Sequence, residues 1–182
     1  MPTMKQLDPP GPSLRFDIRS VQVSLNWSLP FLGATIAYVP AKHAAGSPVA
    51  NYLAAFLCTV AIVVLHELGH AVAARACSAR VHAIVLSGYG GCCVTDASRS
   101  LPQAALVAAG GLLAQLLLLV LTLGYLLVRG APPSSPAANA ALFVLVGANA
   151  LYMLVNLAPI QGSDGASLLK IARQALAGRR AS

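Results

Sequence analysis

The chain has 182 residues, of which 57% are hydrophobic and 9% are charged, and its mean hydropathy is +0.73. This composition is too apolar for an ordinary soluble domain and indicates a protein of the lipid bilayer. A net charge of +7 is compatible with an acidic partner, but the basic residues lie between long apolar runs and form no stripe with interleaved aromatic residues. We therefore expect no nucleic-acid partner.

The N-terminal region precedes the first apolar segment. Residues 1–15 predict a flexible leader, because the first 14 contain four prolines and little apolar periodicity. Residues 16–23 alternate apolar and polar side chains, as in a short strand or a surface segment. Residues 27–41 predict a first helix, thin or tilted, since its apolar core is shorter than the roughly 20 residues that cross hydrocarbon.

Three longer apolar segments follow. Residues 49–65 predict a helix that continues without proline to residue 76, and residues 102–128 and 137–158 predict two more. Together with residues 27–41 they make about four transmembrane helices. If all four span, ten of the twelve Lys and Arg fall on one side, so both termini are predicted to be cytoplasmic.

A hairpin is predicted between the second and third helices. Residues 81–95 combine a β-branched run with Gly90 and Gly91 in tandem, which indicates a short β-hairpin or re-entrant segment. The predicted fold class is an all-α membrane protein carrying this hairpin, with residues 16–178 as one integral-membrane domain and residues 179–182 as a tail.

The pattern HExxH spans His66 to His70. Residues four apart share a helix face, so His66 and His70 can bind one Zn²⁺ ion. Glu67 can act as general base toward the zinc-bound water, whose pKa the metal lowers. Chance occurrence is the alternative, but Glu67 is the only glutamate, and ionisable residues at the end of an apolar run are costly and usually functional.

A catalytic zinc needs a third protein ligand and an open position. The candidates are the remaining carboxylates, histidines and cysteines: Asp8, Asp17, Asp96, Asp164, His43, His82 or a Cys. Asp164 ends the last apolar segment, which returns to the side of the HExxH motif. Position alone leaves two equal alternatives for Asp164, metal ligand or cap of the final helix.

The sequence resembles the site-2 protease family (peptidase family M50) of intramembrane zinc metalloproteases. The family's second motif, N-x-x-P-x-x-x-x-D-G, runs here from Asn156 to Gly165. The resemblance covers roughly residues 15–178. It implies that Asp164 is the third zinc ligand and that Asn156 holds substrate or a developing oxyanion.

Weaker similarities and some departures lie between the two motifs. Gly90 and Gly91 resemble the family's glycine pair, and their strand edge could hold an extended substrate, the alternative being an ordinary connector. The chain has Gly111 where the family usually has Pro, Gln115 where Asn is frequent, and Ser163 where Leu is common. No family role is assigned to those three positions.

The predicted function is that of an intramembrane zinc metalloprotease, which hydrolyses peptide bonds in or near transmembrane segments of membrane proteins and contains one zinc per chain. Its expected partners are the substrate, the lipid bilayer and, as a further possibility, an unidentified regulatory membrane protein. A catalytically silent metal-binding scaffold is the alternative, although such a protein would be free to lose Glu67. A metal transporter would distribute polar residues along several spans, whereas here they cluster.

Overall fold

The computed structural model describes residues 10–88 and 90–180 of the chain. The predicted leader, residues 1–15, lies largely outside this part, although a first strand already begins at Ser13. Of the predicted tail, residues 181 and 182 also lie outside it.

Four strands form one mixed sheet in the order β1 (Ser13–Ile18), β2 (Val21–Asn26), β3 (Val81–Ser87) and β4 (Gly90–Thr95). β1 and β2 are antiparallel, β2 and β3 are parallel, and β3 and β4 are antiparallel. The predicted hairpin is confirmed as β3 and β4. The chain is mostly helical, as predicted, but the fold is not all-α, because this hairpin continues a sheet that the N-terminal strands begin.

Three helical segments are long and apolar enough to cross a membrane: α2 (Pro48–Ala76), α3 (Leu101–Arg129) and the segment Pro136–Leu157. Helix α1 (Ser28–His43) has 16 residues and is not among them. At 1.5 Å per residue it is about 24 Å long, less than the roughly 30 Å of hydrocarbon. Three of the four predicted spans therefore meet the criteria of length and hydropathy.

The last candidate span is interrupted. It consists of α4 (Pro136–Leu142), a π-helical turn (Phe143–Ala148) and α5 (Asn149–Leu157). A π-helical turn holds one more residue than an α-turn, and such turns are frequent at functional sites. The chain then reaches α6 (Asp164–Arg180), the last helix.

Helix α2 lies at the centre and packs against α1, α3 and the sheet. The backbones of α2 and α3 approach closely where Gly69 faces Gly110: a Cβ on Gly69 would overlap the carbonyl oxygen of Gly110. Small residues allow such close approach between membrane helices. This crossing brings the HExxH face of α2 directly onto α3.

Candidate active site

Helix α2 carries the three fixed residues of the HExxH motif, His66, Glu67 and His70. Because the helix is unbroken from Pro48 to Ala76, His66 and His70 lie one turn apart on one face, with their Nε2 atoms 3.2 Å apart. Both histidines are buried, and Glu67 is only 2% exposed. The motif thus places three polar side chains in the buried interior of the helices.

Asp164, the first residue of α6, completes a group that could hold a metal ion. Its Oδ2 lies 3.3 Å from Nε2 of His66, and its Oδ1 lies 3.3 Å from Nε2 of His70. The possible ligand atoms of the three residues all lie within 4.8 Å of one another. The two sequence motifs therefore meet at one point.

The N-cap of α6 is Ser163, so the alternative that Asp164 is the cap is wrong. Ser163 Oγ accepts a hydrogen bond from the Ala166 backbone N at 3.1 Å, and its carbonyl oxygen accepts from Ser167 N at 3.2 Å. The helix start is also held close to α5, since a Cβ on Gly165 would overlap a backbone oxygen. The Asp164 carboxylate is thereby left to face the histidines.

The hydrogen bonds made by Nδ1 of each histidine, the ring nitrogen that points away from Asp164, show whether this group fits a metal. His66 Nδ1 lies 2.9 Å from Gln115 Oε1, and His70 Nδ1 lies 2.7 Å from the Val107 carbonyl oxygen. Oxygens of this kind only accept, so both Nδ1 atoms carry hydrogen and donate. Two Nε2 lone pairs then converge on Asp164, an arrangement that needs a cation. The donor set, two imidazoles and one carboxylate, fits Zn²⁺.

The charge of Asp164 agrees with this conclusion. Burial acts to raise the pKa of Asp164, but the adjacent imidazoles of His66 and His70 lower it, and the net result is a pKa of about 2. The residue is therefore a carboxylate at neutral pH, and the site attracts cations.

Glu67 lies beside the ligand group and is confined by strand β4. Its Oε2 is buried and has no hydrogen-bond partner among the described residues. A Cβ on Gly91 would overlap Glu67 Oε1. The absence of a side chain at Gly91 is what leaves room for the carboxylate.

One cavity of about 620 Å³ joins all the site residues predicted from the sequence. Strand β4 contributes to its lining on one side and the connection between α5 and α6 on the other. The predicted residues that line it are His66, Glu67, His70, Gly90, Gly91, Asn156 and Asp164. Asn156 Nδ2 is buried there without a hydrogen-bond partner among the described residues.

Comparison with known proteins gives the family. The sequence model of the family described as Peptidase M50B-like matches residues 32–160, more than half of the chain. The chain belongs to the Peptidase M50B-like family. A solved structure, the site-2 protease from Methanocaldococcus jannaschii, is similar in fold, with a TM-score of 0.63 and 22% identity over 86% of this chain and 69% of that chain. No curated protein sequence matches.

Membership in the M50B-like family confirms the resemblance stated from the motifs. With its three apolar helices, the chain is an integral membrane protein of a metalloprotease family. The group formed by His66, His70 and Asp164 could bind a metal in this M50B-like chain.

Several residues of the site were not predicted from the sequence. Gln115 contacts His66, and the Tyr152 ring meets the His66 ring edge-on at 5.7 Å. A polar residue within an apolar run, as Gln115 is among leucines, was the available signal.

The other candidate ligands of this M50B-like chain do not join the group. His82 Nε2 lies 2.7 Å from Asp96 Oδ1 at the open end of the hairpin, and Asp17 and His43 lie in β1 and at the end of α1. Asp8 lies outside the described residues.

Two cysteines of β4 line the cavity. Burial raises the pKa of the Cys92 thiol, and it raises that of Cys93 to about 12. Both are therefore neutral thiols at physiological pH, unlike the thiolate that binds metal.

Proposed function

We propose that this chain is a zinc-dependent intramembrane protease that hydrolyses peptide bonds in or near the transmembrane segments of other membrane proteins. The observation that carries the proposal is the meeting of two distant motifs. Ligand atoms of His66, His70 and Asp164 lie within 4.8 Å of one another, and Glu67 lines the same cavity.

Each residue has a distinct role in the proposed reaction. His66, His70 and Asp164 would hold one Zn²⁺, which when bound lowers the pKa of a water molecule and polarises the scissile carbonyl. Glu67 accepts the proton of the attacking water and returns it to the leaving amine. The buried Nδ2 of Asn156 can donate to the substrate oxygen as negative charge develops there.

Strand β4 is the proposed binding edge for substrate. It is the last strand of the sheet within the described chain, and Gly90 and Gly91 line the cavity beside Glu67. An extended peptide can add to such an edge through backbone hydrogen bonds. A transmembrane helix uses its own backbone groups internally, so the substrate must unwind locally before it can pair with β4.

The sheet supports a four-span topology. Because β2 pairs with β3, the chain before α1 and the connection after α2 lie on the same side of the membrane. Helix α2 is a candidate span that ends on that side, which favours α1 as the segment that carries the chain to the opposite side despite its length. With ten of the twelve Lys and Arg on the sheet side, we propose that both termini are cytoplasmic.

The depth of the site follows from the same topology. His66 lies ten residues before the end of α2, which corresponds to about 15 Å along the helix. We therefore propose that the reaction takes place inside the bilayer, toward the cytoplasmic face. The cavity that opens beside β4 would then be the route of water to Glu67.

The test compares the wild-type chain with Glu67→Gln in detergent, using a panel of synthetic transmembrane peptides and measuring zinc content in the same samples. Thr59→Val is the matched control, because Thr59 is buried in α2 and bonds only to the Ala55 carbonyl in the contacts described. Wild type and Thr59→Val are expected to cleave at least one peptide. Glu67→Gln is expected to keep its zinc and to lose about 100-fold or more in rate.

Two outcomes would contradict the proposal. Cleavage by Glu67→Gln at the wild-type rate would show that Glu67 is not the general base. Zinc binding without cleavage of any peptide by the wild type would instead favour the silent metal-binding scaffold.

A further inference from the structure

A buried polar network extends from the metal site into the helix interior. Gln115 of α3 and Asn149 of α5 are both 0% exposed. Gln115 Oε1 lies 2.9 Å from His66 Nδ1, Gln115 Nε2 donates to Asn149 Oδ1 at 3.1 Å, and Asn149 Nδ2 donates to the Gln115 carbonyl oxygen at 3.1 Å. Buried polar groups in an apolar segment are costly unless each is satisfied.

The direction of these hydrogen bonds is set by the backbone. A carbonyl oxygen can only accept, so Asn149 must present Nδ2 to the Gln115 carbonyl and Oδ1 to the Gln115 side chain. Asn149 Oδ1 in turn only accepts, so Gln115 must present Nε2 to it and Oε1 to His66. An acceptor at His66 Nδ1 requires that this nitrogen carry the hydrogen, which leaves the Nε2 lone pair facing Asp164.

We propose that Gln115 and Asn149 are positioning residues that hold His66 in the tautomer able to bind metal through Nε2. The inference rests on the proposed function, since it concerns a ligand of the proposed zinc site. Hydrogen bonds to the outer nitrogen of a ligating histidine set both its tautomer and its ring orientation. His70 Nδ1 is held in the same way by the carbonyl oxygen of Val107, which lies in α3, the helix that also carries Gln115.

The π-helical turn accounts for the position of Asn149. The turn ends at Ala148, directly before Asn149. One inserted residue rotates all later side chains by about 100° relative to an unbroken α-helix. Without the turn, Asn149 would lie on another face of α5, away from Gln115.

The experiment measures zinc affinity by competition with a chromophoric chelator, and the visible absorption spectrum after substitution with Co²⁺, on the full chain in detergent. Gln115→Leu removes the acceptor and is expected to weaken zinc binding by about 10 to 100-fold. Gln115→Glu keeps an acceptor toward His66 but places a second acceptor opposite Asn149 Oδ1, so it is expected to bind zinc less tightly than wild type and more tightly than Gln115→Leu. Both readouts report the ligand directly and do not depend on turnover.

Asn149 is tested in the same way, with a matched pair. Asn149→Leu frees the Gln115 amide to turn its NH₂ group toward His66, so zinc binding weakens and the Co²⁺ spectrum changes. Asn149→Asp keeps the acceptor for Gln115 and is expected to fall between Asn149→Leu and wild type. Thr122→Val is the control, because the Thr122 hydroxyl is largely buried in α3 and donates to Leu118 of its own helix.

The outcomes separate the two proposals. Wild-type affinity and an unchanged Co²⁺ spectrum in Gln115→Leu would overturn the positioning role alone, as would an equal loss in Gln115→Glu and Gln115→Leu. A wild-type chain that binds no zinc would overturn the proposed function and the positioning role together. If Gln115→Leu does not fold, Gln115→Glu and the Asn149 pair decide by the same criteria.

Discussion

Replacement of Gly91 by alanine is expected to abolish most of the catalysis while leaving the metal site intact. A Cβ there would overlap Glu67 Oε1 and lie 2.5 Å from Glu67 Cγ, whereas unstrained contacts are about 3.5 to 4.0 Å. Glu67 is the flexible partner, so its carboxylate must move by roughly 1 Å or more. Displacement of a reacting group by about 1 Å can cost on the order of 100-fold in rate, and we expect that loss.

The assay is the initial rate of peptide cleavage, with zinc per chain measured on the same preparation. Gly124→Ala is the matched control, because a Cβ at Gly124 of α3 would meet nothing within 4 Å. Equal rates for Gly91→Ala and wild type would refute the claim that β4 confines the Glu67 carboxylate. Loss of zinc from Gly91→Ala would refute the claim that the added methyl group disturbs Glu67 without disturbing the ligands.

Further predictions concern the cap, the helix crossing and the hairpin. Ser163→Ala should lower the free energy of unfolding by about 1 kcal/mol, measured by thermal unfolding in detergent, yet keep its zinc. Gly69→Val should cost about 1 to 3 kcal/mol in the same assay, because the α2–α3 crossing has no room, whereas Gly124→Val should not. Hydrogen bonds from His82 and the Arg80 backbone lower the pKa of Asp96. Its contribution to hairpin stability is therefore present above about pH 3.9 and lost as the pH falls through the lowered value, which amide exchange at Arg80 should detect in the wild type and not in Asp96→Asn.

Much of the site could be predicted because its geometry is local. The spacing of His66 and His70 determines their common helix face, and a tandem of glycines after a β-branched run is a local hairpin signal. The pairing of β2 with β3 could not be predicted in this way, since Gln22 pairs with Ala83. Hydrophobic periodicity is a local signal, and it gives no information about pairing between residues so far apart in the chain.

The role of Asp164 shows a different limit. Ser163 and Asp164 are both good N-cap residues, and their order in sequence does not reveal which side chain turns back onto the helix. In the structure, the Ala166 backbone N donates a hydrogen bond to Ser163 Oγ, and this bond identifies Ser163 as the N-cap. The same holds for Asn149, whose direction depends on a π-helical turn that hydrophobic periodicity does not reveal.

The most direct test of the central claim is the zinc content of the purified chain, measured for wild type, Glu67→Gln and Asp164→Ala after dialysis against a weak chelator. The proposed site predicts about one zinc per chain in wild type and in Glu67→Gln, and close to none in Asp164→Ala. Equal zinc in wild type and Asp164→Ala, or none in wild type, would contradict it.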